Sequence, residues 1–260
     1  MLLHRVIEHV REQNWTAIGI DFCIVVIGVF VGIQVANWNA SLADERRGRA
    51  YAARLAADLE RDLAGRRELA AYYAAVLEAV ERTNALLTDP VADAQMLVVN
   101  AYRASEINYR APSHATWNEI VSSGDTGLLP REAASHAAEY FAFDTARDQL
   151  GILGNSAYRH HVRTIVPLPL QKALRKGCSD IRDEVQQITG FMADCVLDIA
   201  PAVVASTAAA LHADPVVLAE LRHQYSDVYS AHANLSGDVA AIERALAALR
   251  VDSTPAGSQP

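Results

Sequence analysis

The sequence predicts an all-α protein in which one N-terminal transmembrane helix continues into a long amphipathic helix, packed into an antiparallel helical bundle. Three observations predict this class: an apolar segment at residues 16–36, a proline-free amphipathic segment from Ala40 to about Thr88, and a seven-residue apolar repeat near the C-terminus. We therefore expect four parts: a short tail at 1–14, a transmembrane helix at 15–38, a helical bundle domain at 39–251 and a disordered tail at 252–260.

The composition argues against several classes of function. The 260 residues carry a formal net charge of −8, and 7% of them are aromatic. An acidic chain lacks the basic face that nucleic acid requires, so we expect no nucleic-acid partner. Lysine occurs only at Lys172 and Lys176, so arginine carries nearly all of the positive charge. The sequence shows no cofactor-binding signature, and its three cysteines do not have the spacing of a zinc knuckle.

The apolar segment reads TAIGIDFCIVVIGVFVGIQVA, and its strongly polar members are Asp21 and Gln34. As a helix it spans about 31 Å, close to the thickness of the hydrocarbon core of a bilayer. Trp15 and Trp38 bracket it as interfacial anchors. A cleaved signal peptide would have a shorter apolar core and a small-residue cleavage site, which VANWNA does not offer. A buried core helix is the other alternative, but the length and the flanking tryptophans favour a membrane span.

Small residues and one acid share a face of this predicted helix. Ala17, Asp21, Gly28 and Gly32 lie within about 40° of one line along the helix. Gly28 and Gly32 form a GxxxG pattern, which lets two helix backbones approach closely. The face therefore predicts a helix–helix contact in the membrane, with a second copy or with another membrane protein. The alternative stays open: Asp21 sits shallow and hydrated, and the GxxxG is a chance occurrence in a run rich in Gly and Val.

The orientation of the helix follows from two conflicting signals. Two arginines precede the apolar segment and four follow it closely, which by the positive-inside rule places the C-terminal domain in the cytoplasm. Short N-terminal tails usually stay inside, however, and long domains translocate largely regardless of charge. Together with the cysteine pair below, this favours a periplasmic domain.

The segment from Ala40 to Thr88 predicts one long helix that ends at Asp89-Pro90. Its apolar side chains fall within an arc of about 140°. Asp62 and Arg66 lie inside that arc one turn apart, and we interpret them as an ordinary i,i+4 ion pair at a helix–helix contact. The neighbouring acids Asp58 and Glu60, with Asp62, are interpreted as mostly solvated helix surface.

The middle of the chain predicts shorter helices. Residues 92–107 form a second helix, and a loop around Pro112 follows. The stretch TWNEIVSSGDTGLLP (116–130) predicts a short helix that ends at Ser122 or Ser123, followed by a Gly-Asp-Thr-Gly turn. A phosphate-binding loop is the disfavoured alternative, because it would need a preceding strand and a Gly-Lys-Ser/Thr ending, and neither is found here.

Further along, residues 131–158 predict a third helix and residues 162–170, with two prolines, a break. Residues 179–188 and 196–211 are further helical candidates, with interruptions near Thr189-Gly190 and at Pro201.

The last helix is expected to start at Asp214-Pro215, an N-cap followed by proline. Apolar positions then recur at steps of three and four for over four heptads, which predicts a coiled-coil-like seam packed against the long first helix. The seam residues are Leu218, Leu221, Tyr225, Val228, His232, Leu235, Val239, Ile242, Leu246 and Leu249.

Cys178 and Cys195 are a possible disulfide pair. On one straight helix they would lie about 25 Å apart, but a turn at Thr189-Gly190 would let them meet and close a short helical hairpin. An oxidising periplasm favours that bond, whereas a reducing cytoplasm disfavours it. Cys23 in the membrane helix is interpreted as a packing residue.

The nine histidines show no metal-binding spacing. His4 and His9 do not share a helix face, and the adjacent His160 and His161 face different sides of a helix. His232 in the seam predicts a hydrogen-bonded core residue, with a pH- or ligand-sensing role as the alternative. No serine sits in a nucleophile-elbow pattern. We predict no catalytic, cofactor-binding or metal-binding residue, and an enzyme is the least favoured class.

The run AIGIDFCIVVIGVFVGIQVANWN, followed by YAARLAADLERDL, resembles a family of uncharacterised single-pass bacterial membrane proteins with an AIGx[ED]…VVIG…NWN membrane helix. TWNEIVSSGDTGLL is similar to a T-[WY]-x-E-[IL]-x-S-[ST]-G turn in that family. The resemblance covers about residues 15–63 and 116–130, and Asp21 stands where many relatives have Glu. It implies the bacterial inner membrane as the location and a helical fold, but it implies no activity.

Three hypotheses for function follow. The first is a membrane-anchored helical interaction or scaffold module that associates as a homo-oligomer or with another membrane protein. The second is a sensory helical bundle that binds a small ligand between its helices and signals through a membrane partner. The third, a hydrolytic enzyme, is disfavoured because no nucleophile or metal constellation is present in the sequence.

Overall fold

A computed structural model describes residues 15–178, 180–184, 186–192 and 195–251. The two predicted tails, together with His4 and His9, lie outside these described residues. The fold is all-α apart from one small β-hairpin, as the sequence predicts. The chain divides into two compact units, one ending at Ala50 and one beginning at Tyr51.

The first helix, α1, covers Trp15–Thr88. It ends as predicted before Asp89-Pro90, because proline cannot donate to the helix and restrains the residue before it. Its part from Phe22 onward contains a window with a mean hydropathy of 1.8 in which no residue is buried. In the part of the chain that the structure describes, this is the single continuous helix long and apolar enough to cross a membrane.

The second unit contains, after the C-terminal part of α1, eight further helices among the described residues. The elements in chain order are α2 (Ala94–Arg103), α3 (Ala115–Ser123), a 3₁₀ turn (Asp125–Leu128), α4 (Arg131–Phe141), α5 (Thr145–Gly154), α6 (Ala157–Ile165), α7 (Leu168–Gly177), β1 (Asp180–Arg182), β2 (Ile188–Phe191), α8 (Pro201–Ala213) and α9 (Pro215–Val251). Gly124 ends α3 with φ 74°, a left-handed conformation that suits glycine, and the turn predicted there is present.

The single helix predicted over residues 131–158 is wrong, because three helices cover this stretch. The Asp144 side chain accepts a hydrogen bond from the backbone N–H of Arg147, and the Ser156 side chain accepts one from that of Arg159. These N-caps satisfy backbone donors that an unbroken helix would pair internally, so each one allows a new helix to start. The break predicted at 162–170 is shorter, because α6 continues to Ile165 and α7 starts at Leu168.

The helix predicted over residues 179–188 is also wrong. Strands β1 and β2 pair antiparallel, with Asp180 opposite Phe191 and Ile181 opposite Gly190. The chain reverses at residues 183–187, whereas the predicted turn at Thr189-Gly190 lies within β2. Isoleucine, threonine and phenylalanine favour extended backbone, which explains why this stretch leaves the helical pattern. Downstream, α8 begins at Pro201 rather than at residue 196.

Helices α1 and α9 pack antiparallel, as predicted. Glu60 pairs with Arg250 at 2.9 Å, and Arg67 pairs with Glu243 at 2.6 Å. Residues later in α1 therefore contact residues earlier in α9, as expected for antiparallel helices. Three apolar clusters fill the space between these helices and the shorter ones. Burial of this apolar surface is the main stabilising contribution in such a bundle.

The buried residues of α9 form a stripe along the helix that repeats every seven residues. At three alternate positions of the predicted seam, the buried residue is the one just before the predicted residue. Six of the ten sequence-derived seam residues are buried: Leu221, Val228, Leu235, Ile242, Leu246 and Leu249. Leu218, His232 and Val239 are half-buried, and Tyr225 is exposed. Val217, Gln224 and Ala231 are buried in place of Leu218, Tyr225 and His232, and Ala241 and Ala245 are buried as well.

Helices α8 and α9 meet at an angle of 81° around Asp214. Taken together they are also long and apolar enough for a broken membrane span, but their apolar side chains Val204, Leu211 and Leu221 are buried in the bundle core. That core cluster also contains Leu97, Tyr158 and Leu170 from α2, α6 and α7. It forms the framework on which the site described next is built.

Candidate functional site

A cavity of about 230 Å³ lies beside the β-hairpin. It is smaller than the clefts of about 300–1,000 Å³ that hold drug-sized ligands, so it suits a small molecule. Its walls combine apolar groups with charges of both signs. They are formed by Val99, Tyr102, Arg103, Glu106, Leu174, Arg175, Cys178, Asp180, Arg182 and Phe191.

Four elements bring these residues together. Helix α2 and the residues just after it supply Val99, Tyr102, Arg103 and Glu106, and α7 with the residue after it supplies Leu174, Arg175 and Cys178. The two strands supply Asp180, Arg182 and Phe191. Val99, Tyr102 and Leu174 are buried in the bundle core, whereas Arg175 and Arg182 are exposed. The cavity therefore has an apolar floor and a cationic entrance.

A disulfide between Cys178 and Cys195 holds the hairpin against α7, with 4.6 Å between the two Cα atoms. It closes a β-hairpin instead of the helical hairpin expected from the sequence. Next to it, the backbone N–H of Val196 donates to the carbonyl of Gly177 at 3.3 Å. The wall of the cavity formed by Cys178 and the strands is thus fixed covalently to the end of α7.

Glu106 is the deepest carboxyl group of the cavity. It pairs with Arg163 of α6 at 3.2 Å, and both side chains are less than one-fifth exposed. Burial raises the pKa of Glu106, against the opposing effect of the Arg163 charge. Arg163 in turn lies 4.5 Å from the ring centre of Tyr102 and donates to its hydroxyl at 3.1 Å.

Arg103 and Asp180 both line the cavity, and their opposite charges interact electrostatically. Burial lowers the pKa of Arg103 and raises the pKa of Asp180, so each charge is costly where it stands. The guanidinium of Arg103 stacks 5.3 Å from the ring centre of Phe191 and donates to the backbone carbonyl of Met192. Its buried Nε atom has no hydrogen-bond partner among the described residues.

The hydroxyl of Tyr72 is a second buried group without a hydrogen-bond partner in the described part of the chain. Tyr72 is 1% exposed, and its ring lies 4.8 Å from that of Phe191, centre to centre. Burial raises the pKa of its hydroxyl, and the negative fields of Glu106 and Asp180 raise it further. Unpartnered buried donors are rare in proteins and need an explanation. One of these two belongs to Arg103 of the cavity wall, and the other to Tyr72, whose ring packs against Phe191 of the same wall.

A separate buried ionic cluster ties α1 to α5, α9 and the loop after α2. Arg66 donates to the carbonyl of Arg110 at 2.8 Å and lies near the carboxylates of Asp238 at 3.2 Å and Asp144 at 3.8 Å. Asp62 accepts from the backbone N–H of Ser113 at 3.0 Å and from the hydroxyl of Tyr140 at 3.2 Å.

These contacts correct two expectations. The partners of Asp62 and Arg66 lie on other elements, so the ordinary i,i+4 pair is replaced by long-range contacts. Asp62 is also buried, at 7% exposure, and is not solvated surface, whereas Glu60 is exposed. Each charged member of this cluster has a protein partner, and although the buried Nε of Arg66 makes no hydrogen bond within the described residues, it lies at ion-pair distance from Asp238. We interpret the cluster as structural.

The residues predicted for a membrane contact lie on α1. Gly28 and Gly32 are exposed, and a Cβ built at either one would have no atom within 4 Å. Trp38 is exposed, and Cys23 is an exposed free cysteine. The backbone of Trp15, Ala17 and Asp21 belongs to the helix, but their side chains lie outside the described residues.

Among the histidines of the described residues, His161 has the most specific surroundings. Its Nδ1 lies 2.7 Å from the Glu220 carboxylate and its Nε2 2.9 Å from the Asp214 carboxylate, so the ring bridges α6 to the α8–α9 corner. His160 is exposed beside it, and His232 is half-buried in α9. No group of three His, Cys, Asp or Glu side chains in the described ranges is placed to hold a metal ion.

No protein-family profile, curated protein or solved structure matches the chain. The cavity was missed in the sequence because its arginines, Arg103, Arg175 and Arg182, belong to three separate elements and form no local motif. The one signal in the sequence was weak: arginine far outnumbers lysine. The composition does not show which arginines come together, because that depends on the tertiary fold.

Proposed function

We propose that the protein is a membrane-anchored helical interaction module whose bundle lies outside the cytoplasm and whose membrane helix associates with a second copy or with another membrane protein. The observation that carries the proposal is the exposed apolar stretch of α1. Its large side chains, such as Phe22 and Phe30, are about two-thirds exposed, at 69% and 61%. A contiguous apolar surface of this size is stable only when lipid or protein covers it.

The open surface at Gly28 and Gly32 supports association through this helix. Because no atom occupies the space where their Cβ atoms would be, a partner helix can bring its backbone close to α1 at these two positions. Close backbone approach increases van der Waals contact, which drives helix association in lipid, where the hydrophobic effect contributes little.

The disulfide supports the periplasmic orientation. Such bonds persist in oxidising compartments and are rare in a reducing cytoplasm. The bond between Cys178 and Cys195 lies in the second unit of the chain. We therefore propose that this unit lies on the periplasmic side of the inner membrane. A pair of reporters fused after residue 260, one active only in the cytoplasm and one only outside it, tests this orientation. Activity of the cytoplasmic reporter alone would contradict it.

Substitution of the two glycines tests association. Gly28→Ile and Gly32→Ile place a branched side chain in the proposed contact and should abolish photochemical cross-linking between helices in isolated membranes. Val26→Ile is the matched control, because residue 26 lies about 160° around the helix from Gly28. Cross-linking of both glycine variants at the wild-type level would disprove the contact.

A second candidate function is a ligand-binding sensory bundle. The specific observation that favours it is the charged cavity beside the hairpin, whose lining residue Arg103 has a buried Nε atom without a hydrogen-bond partner in the described part of the chain. A bundle that holds a small molecule between its helices and is anchored by one membrane helix would pass its signal to a membrane partner.

A further inference from the structure

We propose that the cavity beside the β-hairpin is a binding site for a small organic monocarboxylate with an apolar body. The proposal rests on the second candidate function, ligand binding, and not on association of the membrane helices. Its basis is the balance of charge, the unsatisfied hydrogen-bonding groups and the mixed chemistry of the walls.

The charge balance of the cavity favours an anion. Arg103, Arg175 and Arg182 line it, and Arg159 and Arg163 stand behind Glu106. Five arginines therefore adjoin two carboxyl groups. Glu106 is already paired with Arg163, and Asp180 lies 3.7 Å from Arg182. Among the lining arginines, the positive charges that no carboxylate pairs with at salt-bridge distance are those of Arg103 and Arg175, and a carboxylate offers two oxygens that match a planar guanidinium.

Arg103 is the most buried of the three arginines that line the cavity, so we place the carboxylate of the ligand against it. The Nη2 atom of Arg103 donates to the carbonyl of Met192, whereas its buried Nε atom has no hydrogen-bond partner in the described part of the chain. Leaving part of a guanidinium unpaired is costly, so a ligand carboxylate beside Arg103 would offset that cost.

The rest of the walls specify an apolar body. Val99 and Leu174 are buried apolar residues at the floor, and Phe191 offers a ring face beside Arg103. An inorganic anion would leave this apolar surface facing water, whereas an aliphatic or aromatic body would cover it. The exposed arginines at the entrance, Arg175 and Arg182, would attract the anion and speed its entry.

The experiment uses the full chain in detergent and the probes acetate, butyrate, benzoate, benzamide and inorganic phosphate, with binding measured by titration calorimetry and by the shift of the unfolding midpoint. Benzoate should bind saturably, and the neutral isostere benzamide should not. Arg103→Gln and Arg175→Gln should each weaken benzoate binding by about tenfold or more, because each removes a charged hydrogen bond. Lys176→Gln, an exposed neighbour of Arg175 that pairs with Asp198, is the matched control and should bind like wild type.

Three results would overturn the proposal: no binding of any of the three carboxylates, equal binding of benzoate and benzamide, or tighter binding of phosphate than of benzoate. Wild-type affinity in both arginine variants would overturn it as well. Arg103 also donates to the carbonyl of Met192, whereas Arg175 is exposed, so the Arg175 variant keeps the test valid if the Arg103 variant loses the fold. None of these variants touches the membrane helix, so failure here leaves the association proposal standing, and loss of association leaves ligand binding intact.

Discussion

The guanidinium Nε of Arg66 lies 3.2 Å from the carboxylate of Asp238, across the contact between α1 and α9, and 3% of the Arg66 side chain is exposed. Burial raises the pKa of Asp238, and the charge of Arg66 opposes that rise. Asp144 lies on the other side of the same guanidinium. The carboxylates of Asp144 and Asp238 thus share one guanidinium in the interior. Loss of Arg66 would leave both negative charges without this partner.

We therefore expect Arg66→Met to lower the free energy of unfolding by about 3–5 kcal/mol, the effect of removing one partner from a buried ionic cluster. Arg67→Met is the matched control, because Arg67 pairs with Glu243 at the surface, where such pairs contribute about 0–1 kcal/mol. Urea denaturation of both variants in detergent measures the difference. Equal stability of the two variants would mean that the Arg66 cluster is solvated in solution.

Stability should depend on pH through His161. Partial burial lowers the pKa of the ring, but its hydrogen bonds to Glu220 and Asp214 outweigh this effect, so the pKa is raised above its usual value. A neutral imidazole has one N–H, so only the protonated ring donates to both carboxylates. Because the folded pKa is raised, this contribution is fully present below about pH 6.5 and is lost as the pH rises through the folded value.

The unfolding temperature of the wild type should therefore fall as the pH increases from about 6 to about 8.5. His161→Gln should flatten that dependence, whereas His160→Gln, at the exposed neighbouring position, should keep it. A pH profile of His161→Gln that superimposes on the wild-type profile would exclude the bridge.

The disulfide should stabilise the second unit substantially. It closes a loop with a sequence separation of 17, for which the chain-entropy relation gives about 3 kcal/mol. The double variant Cys178→Ser/Cys195→Ser should unfold at a correspondingly lower temperature, whereas Cys23→Ser, at the free cysteine, should not change. Alkylation of protein extracted from membranes under non-reducing conditions should modify one cysteine per chain. Modification of all three would show that the bond does not form in the cell.

The position of the buried stripe on α9 can be tested with two neighbouring alanines. Ala231 is fully buried, so Ala231→Leu overpacks the core and should cost about 1–3 kcal/mol. Ala233 is exposed, so Ala233→Leu should leave stability nearly unchanged. Thermal unfolding of the two variants checks this, and a greater loss for Ala233→Leu would place the stripe on a different face.

The long helices could be predicted because their periodicity is local and sustained. Helix α1 runs without proline for most of its length, and the repeat of α9 continues for over four heptads. The register of the α9 seam was harder to predict, because the large apolar Tyr225 is exposed while the polar Gln224 is buried. Gln224 is buried because it donates to the backbone carbonyl of Ala104 and accepts from Ser156, contacts that no periodicity reveals.

The hairpin and the cavity could not be predicted for a related reason. Strands of three and four residues carry too few positions to show an alternating pattern, and their pairing depends on contacts along the whole hairpin. The cavity depends on Arg103, which is distant in sequence from Arg175 and Arg182. These arginines come together only when α2, α7 and the hairpin have packed. Local patterns predicted the framework, and the tertiary contacts determine the site.

The scarcity of lysine has a practical consequence for spectroscopy. Both lysine side chains, Lys172 and Lys176, lie on exposed positions of α7. Apart from the terminal amine, an amine-reactive dye can therefore attach only to this helix, on either side of Leu174 and Arg175. Fluorescence of the labelled wild-type chain would then report occupancy of the neighbouring cavity without any engineered attachment point.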